Sequence, residues 1–541
     1  MRNLLFSCFL FFVSLAIAKG DDRPNILFLF ADDWGRYASI YGDAAPGGIN
    51  DVVKTPTFDR IAAEGVLFNQ AHVSAPSCTP CRSALLTGQH FWRTGTGSIL
   101  LGAVYPEDLP SFPVLLRDAG YHMGYTYKVW TPGTPKDAPY TVEERYSPAG
   151  TRFNGFSREV TEAVENGTPV EEAKAKMLAE VRENFRAFLA DQEEGQPFCY
   201  WFGPTNVHRK WVKGSGKALW GLDPDELIGK MPPFLPDVPA VREDLADYFG
   251  EVAAWDAAME VILDELEQAG QAEDTLIAIS GDHGAPGFPY GKCNLYDFGT
   301  GVPLVISGPG VRGGRVVDDL TSLTDLAPTF LEAAGIDAPE VMTGRSLWPV
   351  LESDEEGLVD AERTRVFTGR ERHVDNARAD YKPYPQRCIR TPDYSFIINF
   401  RPDRWPMGDP YQLEGGQSPP IEELETNTRV TLPDEDAGPT KAWLVTARVD
   451  ERWKSHFDWV YGQRPRYELY DLRKDPYETN NLADDSAYAE VRAQLEAELL
   501  AELEATGDPR LIEEGKFFES SPMSDPVTKK PVGKKKAANS R

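Results

Sequence analysis

The sequence predicts an α/β protein: a mostly parallel sheet sandwiched by helices, followed by a smaller C-terminal subdomain with an antiparallel sheet. Three observations predict it. Continuous apolar runs such as Ile26-Leu27-Phe28-Leu29-Phe30 and Leu276-Ile277-Ala278-Ile279 read as strands buried on both faces. These runs alternate with helical patterns through residue 370, the rhythm of parallel strands joined by helical crossovers. Polar residues, Asp32, Lys128, His208 and Asp282 among them, come directly at the ends of predicted strands, where open parallel sheets gather their chemistry.

With 541 residues the chain can bury a large core and divide into two domains. Its net charge is −29, from 56 basic and 85 acidic residues, which argues against nucleic acid as a partner. Any polyanionic substrate would have to be gripped by a local basic cluster. Residues 1–18 read as a signal peptide: Arg2, an apolar run over 4–15, and Ala16-Ile17-Ala18 as a cleavage site. The run is short for a membrane span. The mature protein is therefore expected to be exported, periplasmic or extracellular, with no membrane attachment after cleavage. Cysteines 78, 81, 199, 293 and 388 remain, and their odd number and scatter do not suggest a disulfide framework.

In chain order, a strand over 24–30 leads to Asp32-Asp33-Trp34-Gly35. Adjacent carboxylates at a buried strand end are costly without a cation, and hard oxygen ligands suit Ca²⁺ or Mg²⁺. A solvated Asp-Asp turn is the plainer reading of the pair alone. A helix over 57–65 and a strand over 66–68 precede Cys78-Thr79-Pro80-Cys81-Arg82-Ser83-Ala84-Leu85-Leu86-Thr87-Gly88. Pro80 suits the first turn of a helix, and Gly88 its stop. Cys78 then lies at a helix N-terminus, where orphan N–H groups favour developing negative charge, and Arg82 can hold that charge with its planar donors. The other reading is a Cys-x-x-Cys redox or metal pair, for which no second pair of ligands is evident. His90 either faces substrate or makes a structural hydrogen bond.

A helix over 109–120 and a strand over 121–127 run into Lys128-Val129-Trp130, where an isolated lysine is ordinarily a solvated charge. The Pro/Gly-rich stretch 131–170 reads as irregular and substrate-facing, and 170–191 as a helix. The strand 197–203 ends in Pro204-Thr205-Asn206-Val207-His208-Arg209. A histidine there can hold a proton for a departing oxygen or nitrogen, or serve as a loop histidine. A long helix over 241–269 precedes the strand 275–280, which ends in Gly281-Asp282-His283-Gly284. Asp282 offers an oxygen ligand. His283 is a softer donor than calcium prefers, suited also to orienting an anion or nucleophile. Lys292 follows, then a strand over 302–307, a helix over 320–335 and a strand over 365–368. The run Gly369-Arg370-Glu371-Arg372-His373 reads as exposed, supplying substrate-binding groups (Arg370, Arg372, His373) or only solvated charge. From 376, strand-like pieces at 386–391, 394–400 and 459–461 mark the C-terminal subdomain, and a helix covers 488–505. Residues 506–541 are expected to form a disordered basic tail.

The series Cys78-x-Pro80-x-Arg82, with Leu85-Leu86-Thr87-Gly88 behind it, resembles the signature of the type I sulfatases. Further resemblance over nearly the whole mature chain, notably Tyr290-Gly291-Lys292-Cys293-Asn294-Leu295-Tyr296, lies nearest the heparan N-sulfatase-like branch. It implies an alkaline-phosphatase-like fold with a catalytic domain over 19–375 and a subdomain over 376–505. It implies that a maturation enzyme oxidises Cys78 to formylglycine, and that Ca²⁺ is held by Asp32, Asp33, Cys78, Asp282 and His283. Lys128, Lys292 and Arg82 would then neutralise a sulfate on a carbohydrate substrate. The formylglycine hydrate would attack sulfur, and His208 would protonate the leaving oxygen or amine. The chain departs from the family pattern around Lys128, where Tyr127 replaces a glycine and Trp130 a histidine, leaving the elimination base unassigned. A phosphonate or phosphate monoester hydrolase of the same superfamily, or a sulfated-glycan-binding pseudoenzyme, are the alternatives.

Overall fold

A computed structural model gives the structure of residues 23–520. The leader read at 1–18 and the lysine-rich stretch beyond 520 lie outside the described residues. The strands are β1 (Asn25–Ala31), β2 (Val66–Phe68), β3 (Ala71–His72), β4 (His122–Tyr127), β5 (Phe198–Gly203), β6 (Thr275–Gly281) and β7 (Leu304–Ser307). After them come β8 (Arg315–Val317), β9 (Thr321–Ser322), β10 (Val366–Arg370), β11 (Gln386–Arg390), β12 (Tyr394–Asn399) and β13 (Tyr467–Asp471).

Seven of these form one sheet in the order β4-β5-β1-β6-β7-β2-β8. The pairs β4–β5, β5–β1 and β1–β6 are parallel, and β7 runs antiparallel to both its neighbours. Because successive side chains leave a strand on opposite faces, an all-apolar strand feeds two cores at once. Leu27 and Leu29 of β1 join one core, with the long helices Val170–Asp191 and Pro239–Gln268. Ile26, Phe28 and Phe30 join the other, with Leu85, Leu86 and the helix Leu326–Ala333. This arrangement is the predicted sandwich, and it stacks the carboxyl ends of β4, β5, β1 and β6 side by side.

β10-β11-β12-β13 form a separate antiparallel sheet. Its first strand, Val366–Arg370, precedes residue 376, where the C-terminal texture was expected to begin. Three expectations are corrected. Trp459 and Tyr461 lie in the helix Glu451–Tyr461 rather than a strand, because the repeating contact is between Phe457 and Tyr461 at helical spacing. The stretch 131–170 includes the helix Phe156–Glu165. Residues 506–520 are ordered, since Asp508 accepts from Arg387 and Arg510 pairs with Glu371, all four buried. Among the described residues no helix is long and apolar enough to cross a membrane.

Candidate active site

The helix Cys78–Thr87 carries the signature, and all ten of its residues are buried. Gly88 ends it in the left-handed conformation at φ 62°, as glycine allows. Ser77 at its N-cap is extended, and its Oγ is 2.7 Å from His373 Nδ1. The helix thus presents Cys78 to the strand ends from its N-terminus. Cys81 turns the other way, into the apolar core beside Leu85 and Phe30, so the two cysteines do not act as a ligand pair.

Asp32 and Asp33 directly follow β1, and Asp282 directly follows β6. Asp33 is in the left-handed region at φ 61°, and its N–H donates to Asp282 Oδ1 at 2.7 Å. Gly281 must be glycine here, because a Cβ would sit 2.0 Å from the Trp34 carbonyl oxygen. Arg82, fully buried, ties the group together: Nη2 donates to Asp32 Oδ1 at 3.1 Å and Nε to Asp282 Oδ2 at 2.9 Å. Nη1 donates to the Val129 carbonyl at 2.9 Å. With its donors engaged in this way, Arg82 positions the two carboxylates.

Lys128 Nζ reaches Asp32 Oδ1 at 2.5 Å, and Lys292 Nζ lies 3.1 and 3.0 Å from the two oxygens of Asp33. Burial opposes the charge on Asp32, but Lys128 and Arg82 outweigh it and hold its carboxyl well below the usual range. Burial raises Asp282 instead. Tyr127, before Lys128, has φ 74°, which explains why a glycine is the easier residue at this turn. Its ring is held between Phe153 and Phe202, and its hydroxyl donates to Glu180 at 3.1 Å. Trp130 is buried and donates to Ser83 Oγ at 2.7 Å, so that position contributes packing.

His208 stands at the mouth, its side chain 34% exposed, with Nε2 3.7 Å from Asp33 Oδ2. Nδ1 lies 2.5 Å from the Arg209 carbonyl, which accepts its N–H and leaves Nε2 as the atom facing the cluster. The loop is braced by Asn206 on Glu251 and by a bidentate pair between Arg209 and Asp244 at 2.8 and 2.7 Å.

Asp33, Cys78, Asp282 and His283 bring one ligand atom each to within 4.8 Å of one another. His283 Nδ1 is 3.1 Å from the Gly284 carbonyl, so an N–H belongs there and the Nε2 lone pair points inward. Nε2 is 3.2 Å from Asp33 Oδ1, 3.5 Å from Asp282 Oδ1 and 3.4 Å from Cys78 Sγ. Acceptors converging in this way fit a cation between them, and His283 belongs to that set. Asp32, Asp33 and His208 form a second such group. Burial, then the charge on Asp32, push the Cys78 thiol well above its ordinary range, so the unmodified side chain is a neutral thiol and a poor nucleophile.

The remaining sequence-predicted residues are placed differently. His90 stacks on Trp92 with centroids 4.3 Å apart and meets Glu502 at 3.0 Å, so it seals the signature helix against the C-terminal helix and does not face the cluster. The run at 369–373 is buried rather than exposed. Arg370 donates to the Cys293 carbonyl and pairs with Asp434, both at 2.6 Å, which anchors the Lys292 loop. Arg372 donates to the Leu101 carbonyl at 2.9 Å. His373, whose pKa burial lowers to about 3, is a neutral imidazole one residue from Cys78 through Ser77. Sequence reasoning missed Asp436, whose Oδ2 is 3.3 Å from Lys292 Nζ. Its only signal is the triplet Asp434-Glu435-Asp436, which in a chain this acidic reads as solvated charge.

A buried cluster of carboxylates and an imidazole at the ends of parallel strands, with two lysines and a cysteine at a helix start, fits a hydrolase of anionic esters. The chain is a member of the sulfatase family, whose model matches residues 24–336, and the N-sulphoglucosamine sulphohydrolase C-terminal model matches 281–412. It is an enzyme of the sulfatase class. The chain is 29% identical to human (Homo sapiens) N-sulphoglucosamine sulphohydrolase over 93% of its own length and 94% of the relative's. It is 26% identical to an ulvan-active sulfatase of Formosa agariphila, over 95% and 80% respectively. The fold is that of BT4656 solved with its substrate D-glucosamine-2-N,6-O-disulfate, at TM-score 0.58 and 18% identity, covering 90% of this chain and 98% of that one.

Proposed function

We propose that the protein is an exported sulfatase that hydrolyses sulfate esters or sulfamates of sulfated carbohydrates, using formylglycine made from Cys78 by a maturation enzyme, and calcium. The observation that carries this reading is the convergence of Asp33, Asp282 and His283 on Cys78, flanked by Lys128 and Lys292. The relatives named above support a carbohydrate as the sulfated group. When present, formylglycine supplies a hydroxyl nucleophile through its hydrate, and calcium supplies positive charge beside it.

The chain's own residues do the rest. Asp32, Asp33, Asp282 and His283 would hold the ion, with Arg82 fixing two of those carboxylates in place. Lys128 and Lys292 both stay cationic, since burial disfavours their charge but Asp32 and Asp33 respectively more than restore it. Their ammonium groups would hold the sulfate oxygens as negative charge builds. His208 Nε2, partly open to solvent, would donate the proton to the departing sugar oxygen or amine. His283 borders residue 78 directly and His373 reaches it only through Ser77, while Trp130 brings no imidazole.

The test is sulfate release from defined sulfated sugars by protein co-expressed with a maturation enzyme, alongside mass mapping of the peptide containing residue 78. An aldehyde at 78, and loss of roughly 10⁴-fold or more of the activity in Cys78→Ala, are expected. Full activity with an ordinary cysteine at 78 would overturn the reading.

A further inference from the structure

The loop between Thr431 and the helix Pro439–Ala447 enters the site from the C-terminal part of the chain. It is fastened on every side. Asp434 is held by Arg370 at 2.6 Å, Arg378 at 2.9 Å and the Val374 N–H at 2.9 Å. The Ala437 N–H donates to Thr428 at 3.1 Å, and Thr440 donates to Asp244, the same carboxylate that grips Arg209 beside His208. Gly438 packs so closely on the Arg209 guanidinium that a Cβ would lie 2.3 Å from it.

From this rigid loop Asp436 projects a carboxylate whose surroundings are unusual. Its side chain is 16% exposed, and its Oδ2 is buried 3.3 Å from Lys292 Nζ yet accepts no hydrogen bond among the described residues. Burial works against its charge, but Lys292 foremost, then His208, keep it ionised. Lys292 already directs hydrogen bonds to both oxygens of Asp33. A buried carboxylate is an acceptor with several lone pairs, and such groups normally have their donors. With Oδ2 closed off beside Lys292, the exposure of the side chain lies at Oδ1, and that is the oxygen a donor entering the pocket would meet.

We propose that Asp436 is a specificity-determining residue that accepts hydrogen bonds from a hydroxyl or amine of the sugar unit bearing the scissile sulfate. It thereby disfavours a second sulfate or a carboxylate at that position. This rests on the sulfatase reading and adds the part of the substrate that the chain recognises beyond the sulfate.

The experiment compares the protein with Asp436→Asn, which keeps the side chain's shape, after melting curves establish that both are folded. Hydrolysis of N-sulfoglucosamine and glucosamine 6-sulfate is measured beside that of 4-methylumbelliferyl sulfate, which carries no sugar. The same two sugars are titrated calorimetrically into Cys78→Ala protein with Asp or Asn at 436. Asp436→Asn is expected to raise KM and weaken calorimetric binding for at least one sugar by about 10- to 100-fold, the worth of a hydrogen bond to a charged group. The aryl sulfate should lose much less, and kcat should change little. Equal loss on sugar and aryl sulfate would mean that Asp436 acts only through Lys292 and would overturn the proposal. So would unchanged sugar binding, or no binding of either sugar with aspartate in place. Failure of the unsubstituted enzyme to release any sulfate would count against the hydrolase reading instead, and the titration would still decide the role of Asp436.

Discussion

The two walls of the pocket are built by different means. The inner wall is made at strand ends: Asp32 after β1, Lys128 after β4, His208 after β5 and Asp282 after β6, with Arg82 from the signature helix tying two of them. The outer wall is made by the buried run at 369–373 and the loop bearing Asp436, each fixed by ion pairs between distant segments. A sheet delivers side chains with little freedom, so groups that must meet a reacting atom stand there. Loops change readily between relatives, so the groups that would read the sugar stand on them, rigid only because buried arginines hold them. On the proposed function, reaction and selectivity would thereby stand on different parts of the fold.

The contrast can be broken or sharpened by substitution. The largest effect is expected at the inner wall: Arg82→Met would leave Asp32 and Asp282 buried without their shared cation. Such loss of a buried partner costs about 3–5 kcal/mol, read as a fall in denaturation midpoint together with loss of sulfate release. A stability loss below about 1 kcal/mol would show that the lysines alone sustain the carboxylates.

Between the walls, Glu251 braces the His208 loop, and burial raises its pKa from 4.5 to about 7. The folded state then binds more protons than the unfolded one over that window, so its stabilising contribution is complete below pH 4.5 and is lost as pH rises through 7. The loss amounts to on the order of 3 kcal/mol. Melting temperature should therefore fall more steeply between pH 5 and 8 in the unsubstituted protein than in Glu251→Gln, and parallel profiles would contradict this. The smallest effect is expected at the rim of the outer wall. His90→Phe keeps the stack on Trp92 and removes the contact with Glu502, so activity should stay within about twofold and stability within about 1 kcal/mol. A large rise in KM would return His90 to the substrate.

Most of the inner wall was legible in the sequence because its residues directly follow long apolar strands, a pattern that survives without neighbours. Asp32, Lys128, His208 and Asp282 were marked by that position, Cys78 and Arg82 by the signature stretch at a helix start, and the helix Val170–Asp191 coincides with the pattern at 170–191. The outer wall was not legible. Arg370 and Arg372 read as exposed because charge runs usually are, and nothing local reveals that Asp434, some sixty residues away, buries one of them. Asp436 was hidden for the same reason. His90 shows the converse: its partner Glu502 lies on a helix whose acidic residues look solvated until the two cores meet.

One contact reaches further than it first suggests. Arg387 pairs with both Glu371 and Asp508, and Arg510 pairs with Glu371 as well, joining the last described segment of the chain to a residue two positions before His373. A cut near residue 505 would strip counter-charges from a strand in the middle of the small sheet and disturb the neighbourhood of Ser77 and Cys78 from behind. The final fifteen described residues thus behave as a keystone for the pocket.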